Sequence, residues 1–229
     1  MKNLSISMNS TEKALGWGYY AFQLFLLQFI MTFALLLMRI YPSTLVFNVI
    51  YFTINFLATI TIYHRFLHKS IKKAISVLPE VIGYCVMGLV AYWLLNTVVY
   101  SIILAVYPNY FNMNNTAISN MGQTNFPLLL VGTVFLVPVA EEMIYRGLMF
   151  GCLYNRSKIL AYGVSVAAFS LIHIVGYIPD MTPLHFAMSF VQYLPASIAL
   201  AWVYGKTDTI ITPILMHMLI NLLGIFAVR

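Results

Sequence analysis

Two adjacent carboxylates, Glu141 and Glu142, lie inside an apolar stretch that runs from residue 126 to residue 150. The whole chain has only six acidic residues, so this placement is not a matter of composition. An ionised carboxylate at membrane depth is unfavourable, and such residues normally face a polar interior and mark a functional site. A carboxylate held in such an interior is suited to activating water as a general base.

Arg146 follows Glu142 by four residues and therefore shares its face of a helix. A structural ion pair between these two side chains accounts for one carboxylate and leaves Glu141 over. Pro138 lies just upstream, where its missing N–H removes a helix hydrogen bond and favours a local kink beside the pair. The pattern predicts one buried ion pair and one carboxylate that is available for chemistry.

Three further polar residues follow in apolar surroundings: His173, His217 and, four residues later on the same helix face, Asn221. Taken alone, each histidine is compatible with a core residue that bonds a neighbouring carbonyl. Together with Glu141 the set supplies a general base, imidazoles that bind water, and donors for an oxyanion. Glu141, His173 and His217 are also a candidate ligand set for one zinc ion with water in the fourth position. Both alternatives remain open at this stage.

The composition requires these residues to be positioned by membrane helices. Of the 229 residues, 62% are hydrophobic and only 8% are charged, whereas about a quarter of the residues in soluble domains are charged. We therefore predict an all-α, polytopic transmembrane helix bundle. A span needs about 20 mostly apolar residues, and seven segments qualify: 17–38, 44–63, 80–107, 126–150, 159–178, 184–204 and 210–227.

The basic residues alternate between the predicted loops. Nine of them fall on the side of the N-terminus: Lys2, Lys13, Arg65, Lys69, Lys72, Lys73, Arg156, Lys158 and Lys206. The other side has only Arg39 and Arg229, besides the uncharged loop 108–125. The positive-inside rule then predicts a cytoplasmic N-terminus and an external C-terminus. Because the basic residues in these loops orient the chain in the membrane, they do not indicate a nucleic-acid partner. We predict that the protein contacts the lipid bilayer and binds no nucleic acid.

The chain changes character near residue 126. We predict that residues 1–125 form a scaffold of about three spans and that residues 126–229 form the catalytic spans. At 1.5 Å per helical residue, Glu141 and His173 lie roughly 20 Å from the cytoplasmic ends of their spans, and His217 only about 10 Å. A cavity open to the cytoplasm therefore requires either that the 205–213 connection dips into the protein or that the last helix is tilted.

Three motifs occur in order: Glu141-Glu142-x-x-x-Arg146, Phe169-x-x-x-His173 and His217-x-x-x-Asn221. They resemble the CPBP intramembrane protease family, which includes CAAX-processing endopeptidases and bacterial proteins tied to bacteriocin maturation and self-immunity. The resemblance covers roughly residues 126–225.

The resemblance implies a role for each of these residues. Glu141 with His173 would activate water, His217 and Asn221 would stabilise the oxyanion or ligate a metal, and Glu142 with Arg146 would hold the motif. The chain departs from the family at Ser197 and Ala201, where the family usually carries glycines. Small residues there still permit close helix packing.

The function predicted is that of an intramembrane endopeptidase acting on a membrane-associated peptide or protein. The Lys-, Asn- and Ile-rich composition favours a bacterial plasma membrane. One alternative is a proton- or cation-coupled transporter, which also needs Glu and His in its interior, although the two halves lack the paired interrupted spans typical of inverted repeats. The other is a non-catalytic immunity or signalling partner in the membrane.

Overall fold

The computed structural model describes residues 3–227 of the chain. Lys2 and Arg229, which contributed to the topology prediction, lie outside the described residues. The described part is 86% helical and contains no strand. The predicted all-α membrane bundle is confirmed.

The helices of residues 3–227 differ in length, apolar character and burial. In chain order they are α1 (Ser10–Leu37), α2 (Thr44–Ile62), α3 (His64–Ser76), α4 (Leu78–Val106), α5 (Met113–Thr124), α6 (Phe126–Tyr154), α7 (Lys158–Ile172), α8 (Pro183–Thr207) and α9 (Ile211–Ala227). Five of them (α1, α2, α4, α6 and α8) are long and apolar enough to cross a membrane. Helices α7 and α9 are shorter apolar helices and complete the set of seven predicted segments.

The basic segment 65–73 was predicted to be a loop, and that prediction is wrong. It lies in the helix α3, whose residues Phe66, Ser70 and Ala74 are buried at four-residue spacing. The buried carboxylate of Glu12 accepts the backbone N–H of Phe66 (2.8 Å) and so satisfies a donor in the first turn of α3. The charged residues occupy the other faces of this amphipathic helix.

The uncharged segment 108–125 was also predicted to be a loop, and most of it is the helix α5. The side chain of Asn112 caps this helix by accepting the backbone N–H of Asn115 (2.9 Å). None of its residues is buried. Because α5 has no apolar stripe, hydrophobic periodicity could not predict it.

The predicted span 159–178 is shorter than expected, because α7 ends at Ile172. His173 is the C-cap residue, and its Nδ1–H donates to the carbonyl of Phe169 (2.8 Å). The imidazole of His173 thus bonds the carbonyl that would accept the backbone N–H of residue 173 if the α-helix continued. A short 3₁₀ turn, Val175–Asp180, follows.

Helix α6 is the centre of the bundle. Of its most apolar stretch 56% is buried, against 6% for α4, and it packs against α1, α2, α7, α8 and α9. Its backbone is π-helical at Val131–Leu136 and again at Met143–Phe150. The α-helical segment Val137–Glu142 lies between these two π-helical stretches, and Glu141 and Glu142 are its last two residues.

The connection between α8 and α9 is buried in the protein. Thr209 and Ile210 have no exposed surface, and the Thr209 hydroxyl donates to the carbonyl of Ser70 (2.8 Å). Asp208 adopts a left-handed backbone conformation (φ 52°), accepts the backbone N–H of Ser5 (3.0 Å) and pairs with Lys73. This burial supports the first of the two explanations for the position of His217.

Candidate active site

Of the two adjacent carboxylates, Glu142 is the one whose side chain is wholly buried. Its Oε1 accepts a hydrogen bond from Nη1 of Arg146 (3.0 Å), which confirms the predicted ion pair. The same oxygen contacts Nδ1 of His217 (2.8 Å). Glu142 therefore bonds within α6, to Arg146, and also joins α6 to α9 through His217. Spacing along the chain did not predict the contact with His217.

Arg146 extends this buried network to α8. Its Nη2 donates to the carbonyl oxygen (3.0 Å) and to the hydroxyl (3.1 Å) of Ser197. Its guanidinium lies 4.1 Å from the centroid of the Phe169 ring, within cation–π distance. Ser197, one of the two departures from the family pattern, thus supplies the polar partners of a buried charge.

Glu141 lies near the other ring nitrogen of His217 and keeps 22% of its side chain exposed. Its Oε2 lies 3.8 Å from Nε2 of His173 and 3.9 Å from Nε2 of His217. These distances exceed a direct hydrogen bond, and Oε2 has no hydrogen-bond partner in the structure. The structure thus brings together the three residues that the sequence predicted to act on water.

Both imidazoles are oriented through Nδ1. His173 must donate from Nδ1 because the Phe169 carbonyl only accepts, and His217 presents Nδ1 to the carboxylate of Glu142. When neutral, His173 therefore carries a lone pair on Nε2, whereas Nε2 of His217 accepts when the ring is neutral and donates when the ring is protonated beside Glu142. The two Nε2 atoms lie 3.8 Å and 3.9 Å from the same carboxylate oxygen of Glu141, separations that a bridging water can fill.

Aromatic rings hold the two imidazoles in place. The ring of Phe169 lies 4.6 Å from that of His173 and 5.6 Å from that of His217, centroid to centroid. Tyr193 on α8 stacks on the other side of His173 at 4.6 Å and an interplanar angle of 29°. The motif spacing pointed to Phe169, whereas Tyr193 carries no sequence signal of its own.

Asn221 joins α9 to the first π-helical stretch of α6. Its Nδ2 donates to the carbonyl of Thr133 (2.8 Å). In this stretch the N–H of Val137 bonds to Gly132, five residues back, so the next donor in the same register would be Pro138, which has no N–H. Asn221 supplies the missing hydrogen bond, and its second amide N–H remains for another acceptor.

Glu141, His173 and His217 are the candidate zinc ligands, and their donor types suit zinc. Within residues 3–227 no group of three or more His, Cys, Asp and Glu side chains has the arrangement that holds a metal ion. A zinc ion held by these three residues stays a prediction.

A cavity of about 1150 Å³ reaches the site. Glu141, His173, His217 and Asn221 all line it, together with many side-chain amides and tyrosines. All four residues predicted to act in chemistry therefore share one chamber. Glu142 and Arg146, which were predicted to support them, lie behind its wall.

Comparisons with known proteins agree with the motifs. Residues 123–223 match the family model described as type II CAAX prenyl endopeptidase, Rce1-like. Over 94 residues the chain is 29% identical to the UPF0177 protein YxdF of Lactococcus lactis subsp. lactis. Over 96 residues it is 27% identical to the "Putative membrane peptidase YdiL" of Bacillus subtilis. No solved structure matches the chain.

These matches confirm the resemblance to the CPBP family that the three motifs predicted. They cover 41% and 42% of this chain, and 46% of YxdF and 35% of YdiL. The chain thus matches less than half the length of either relative. The segment that the family model matches, residues 123–223, contains every residue of the candidate site. With its apolar helices the chain is an integral membrane protein.

Proposed function

We propose that this protein is an intramembrane endopeptidase that hydrolyses a peptide bond in a membrane-associated peptide or protein. One observation carries the proposal: a partly exposed carboxylate, Glu141, faces Nε2 of two oriented imidazoles at the wall of a large cavity. Across such separations a bridging water is the expected intermediary. The match to the family model and the similarity to YdiL, which is named a putative membrane peptidase, support the same class of activity.

In the proposed reaction, water donates one hydrogen bond to Glu141 and another to Nε2 of His173. Glu141 accepts the proton as the water oxygen attacks the peptide carbonyl carbon, which forms a tetrahedral oxyanion. The second N–H of Asn221, and Nε2–H of His217 in its protonated form, donate to that oxyanion. When the C–N bond breaks, the proton on Glu141 passes to the leaving amine, so that Glu141 returns to a carboxylate.

The buried pair has a positioning role in this scheme. Glu142 orients His217 through Nδ1, and Arg146 neutralises Glu142 while it binds Ser197 on the next helix. Three helices are thereby held in one register behind the reacting groups. Such support is needed because a displacement of about 1 Å can cost a hundredfold in rate.

The proposal includes a location. The Lys-, Asn- and Ile-rich composition supports a bacterial plasma membrane, and the charge distribution supports an N-terminus in the cytoplasm and a C-terminus outside. Lys73 and the α8–α9 connection, which the positive-inside rule assigns to the cytoplasm, lie together on one face of the bundle.

Purified protein in detergent, incubated with a library of internally quenched peptides, tests the function directly. We expect cleavage of a subset of peptides, with the products identified by mass spectrometry. Proton or cation flux in proteoliposomes without any cleavage would instead support a transporter.

The same preparation tests the zinc alternative. If zinc is held by Glu141, His173 and His217, the active protein contains about one equivalent, His217→Ala loses it and chelation abolishes cleavage reversibly. Cleavage by protein shown to be metal-free would support the carboxylate–imidazole mechanism described here.

A further inference from the structure

The chemical character of the cavity is unusual for a hydrophobic chain. Seven asparagines and three glutamines line it, out of thirteen asparagines and four glutamines in the whole sequence. Among its lining residues Glu141 is the only Asp, Glu, Lys or Arg. More than half of the side-chain amides of the protein, which both donate and accept hydrogen bonds, therefore line this one cavity.

The cavity opens at one end of the bundle. Its exposed lining residues include Ser43 before α2, Asn115 and Asn120 on α5, and Gly224 near the end of α9. None of its lining residues comes from α3, from the α6–α7 turn or from the α8–α9 connection.

The opposite end is solid protein. Leu148, Phe150, Tyr204, Ile210 and Met216 have at most 1% of their surface exposed and fill the space beyond the carboxylates. Past this core the N-terminal segment, α3 and the α8–α9 connection are joined through Asp208, Ser5 and Lys73. The end that carries most of the basic residues is thus closed, and the cavity does not have the cytoplasmic opening that was expected from the sequence.

Helix α5 lies over the open end and is held there by polar contacts. Asn112, its cap residue, donates from Nδ2 to Gln192 (2.9 Å) and accepts from the hydroxyl of Tyr193 (3.2 Å). The hydroxyl of Tyr177 contacts Asn114 (3.5 Å). No residue of α5 itself is buried, so its displacement would take none of its own side chains out of a packed core.

We propose that the catalytic cavity is entered from the α5 face, which the charge distribution assigns to the cell exterior, and that it binds an uncharged, extended polypeptide segment. The inference rests on the proposed function and names its substrate class and its access route. Side-chain amides both donate and accept, so they pair with main-chain N–H and C=O groups regardless of sequence. The lining has no Lys or Arg to pair with an acidic segment, which would instead face Glu141.

Cysteine labelling tests the access route without any need for turnover. In a background of Cys85→Ala and Cys152→Ala, the variants Asn115→Cys, Asn109→Cys and Lys206→Cys are treated with a sulfonated, membrane-impermeant maleimide. Asn109 is an exposed residue close to α5 that does not line the cavity, and Lys206 is exposed near the basic end. We expect Asn115→Cys and Asn109→Cys to react in spheroplasts, and Lys206→Cys only in inverted vesicles. The reverse pattern would overturn the external entry.

A second arm asks whether the labelled position is in the access route. We expect the maleimide adduct at Asn115→Cys to abolish cleavage of an uncharged quenched peptide, whereas the adduct at Asn109→Cys leaves cleavage unchanged. Equal effects of the two adducts would overturn entry beside α5. If the unlabelled protein cleaves no peptide at all, the proposed function fails, while the labelling pattern still decides the sidedness of the cavity.

A third arm tests the substrate class with matched peptides. A fluorescent peptide of Asn, Gln, Ser and Leu is compared with one in which two central residues are Asp. Because bringing like charges together at an interface is unfavourable, we expect binding of the acidic peptide, measured by fluorescence anisotropy, to be about tenfold weaker or more. Equal binding of both peptides would overturn the proposed class, whether or not either is cleaved.

Discussion

Glu141 and Glu142 carry the same side chain in different environments, one at the cavity and one buried. Glu142 is wholly buried and shares one oxygen with Arg146 and His217. Glu141 is partly exposed to the cavity, and its Oε2, like that of Glu142, has no hydrogen-bond partner. The difference is the cation: a buried carboxylate that is paired with Arg146 is held in place, whereas a carboxylate at the cavity without such a pair can take up a proton. The comparison indicates a structural role for one residue and a chemical role for its neighbour.

The largest effect is expected on the cavity side. Glu141→Gln keeps the shape of the side chain and removes the base, so it should lower the rate of peptide cleavage by at least ~10²-fold while the protein still inserts and accumulates. His173→Ala should act alike. Glu80→Gln, an exposed change at the start of α4, is the matched control and should keep full activity. Full cleavage by a well-expressed Glu141→Gln variant would refute the chemical role.

On the buried side the main effect should be on stability. Glu142→Ala strands the charge of Arg146, and breaking a buried pair in this way typically costs about 3–5 kcal/mol. We expect a lower midpoint of thermal unfolding in detergent, and partial recovery in the double variant Glu142→Ala with Arg146→Ala. The partly exposed Lys73–Asp208 pair offers a control, since Lys73→Ala should cost much less. A double variant no more stable than Glu142→Ala would contradict the structural pairing.

A smaller effect is expected where Asn221 joins α9 to α6. Asn221→Ala leaves the carbonyl of Thr133 without its donor, which should cost ~1–3 kcal/mol. Pro138→Ala restores a backbone N–H near that carbonyl, so Asn221→Ala should cost less in the Pro138→Ala background. A double-mutant cycle on thermal or denaturant unfolding measures this coupling. The same cost in both backgrounds would show that Asn221 does not replace the missing N–H.

The smallest effect concerns the partner of Arg146 on α8. Ser197→Ala removes one of the two oxygens that accept from Nη2 and leaves the backbone carbonyl in place. We expect a loss of only about 0.5–1.5 kcal/mol. Ser101→Ala, which removes a hydroxyl that bonds its own exposed helix, should be nearly neutral. If Ser197→Ala destabilises no more than Ser101→Ala, the hydroxyl contributes nothing to the buried network.

Much of the site follows from local rules. The four-residue spacing places Glu142 against Arg146, and it also places Asn221 one turn beyond His217. The apolar runs predicted seven membrane helices, because an uninterrupted run of that length has few other ways to satisfy its backbone. The errors fell on α3 and α5. The first is an amphipathic helix among basic residues, and the second is a polar helix whose formation depends on the cap and contacts of Asn112.

What residue order could not provide was the meeting of distant segments. The order of residues places His217 and Ser197 in apolar helices. It did not predict that Glu142 would contact His217 or that Arg146 would bind Ser197. The position of His217 depended on the burial of the α8–α9 connection against Ser5, Ser70 and Lys73. Residue type and spacing therefore defined which groups are available for chemistry. Packing between helices decided which carboxylate is enclosed and which faces the cavity, since burial depends on neighbours that are remote in the chain.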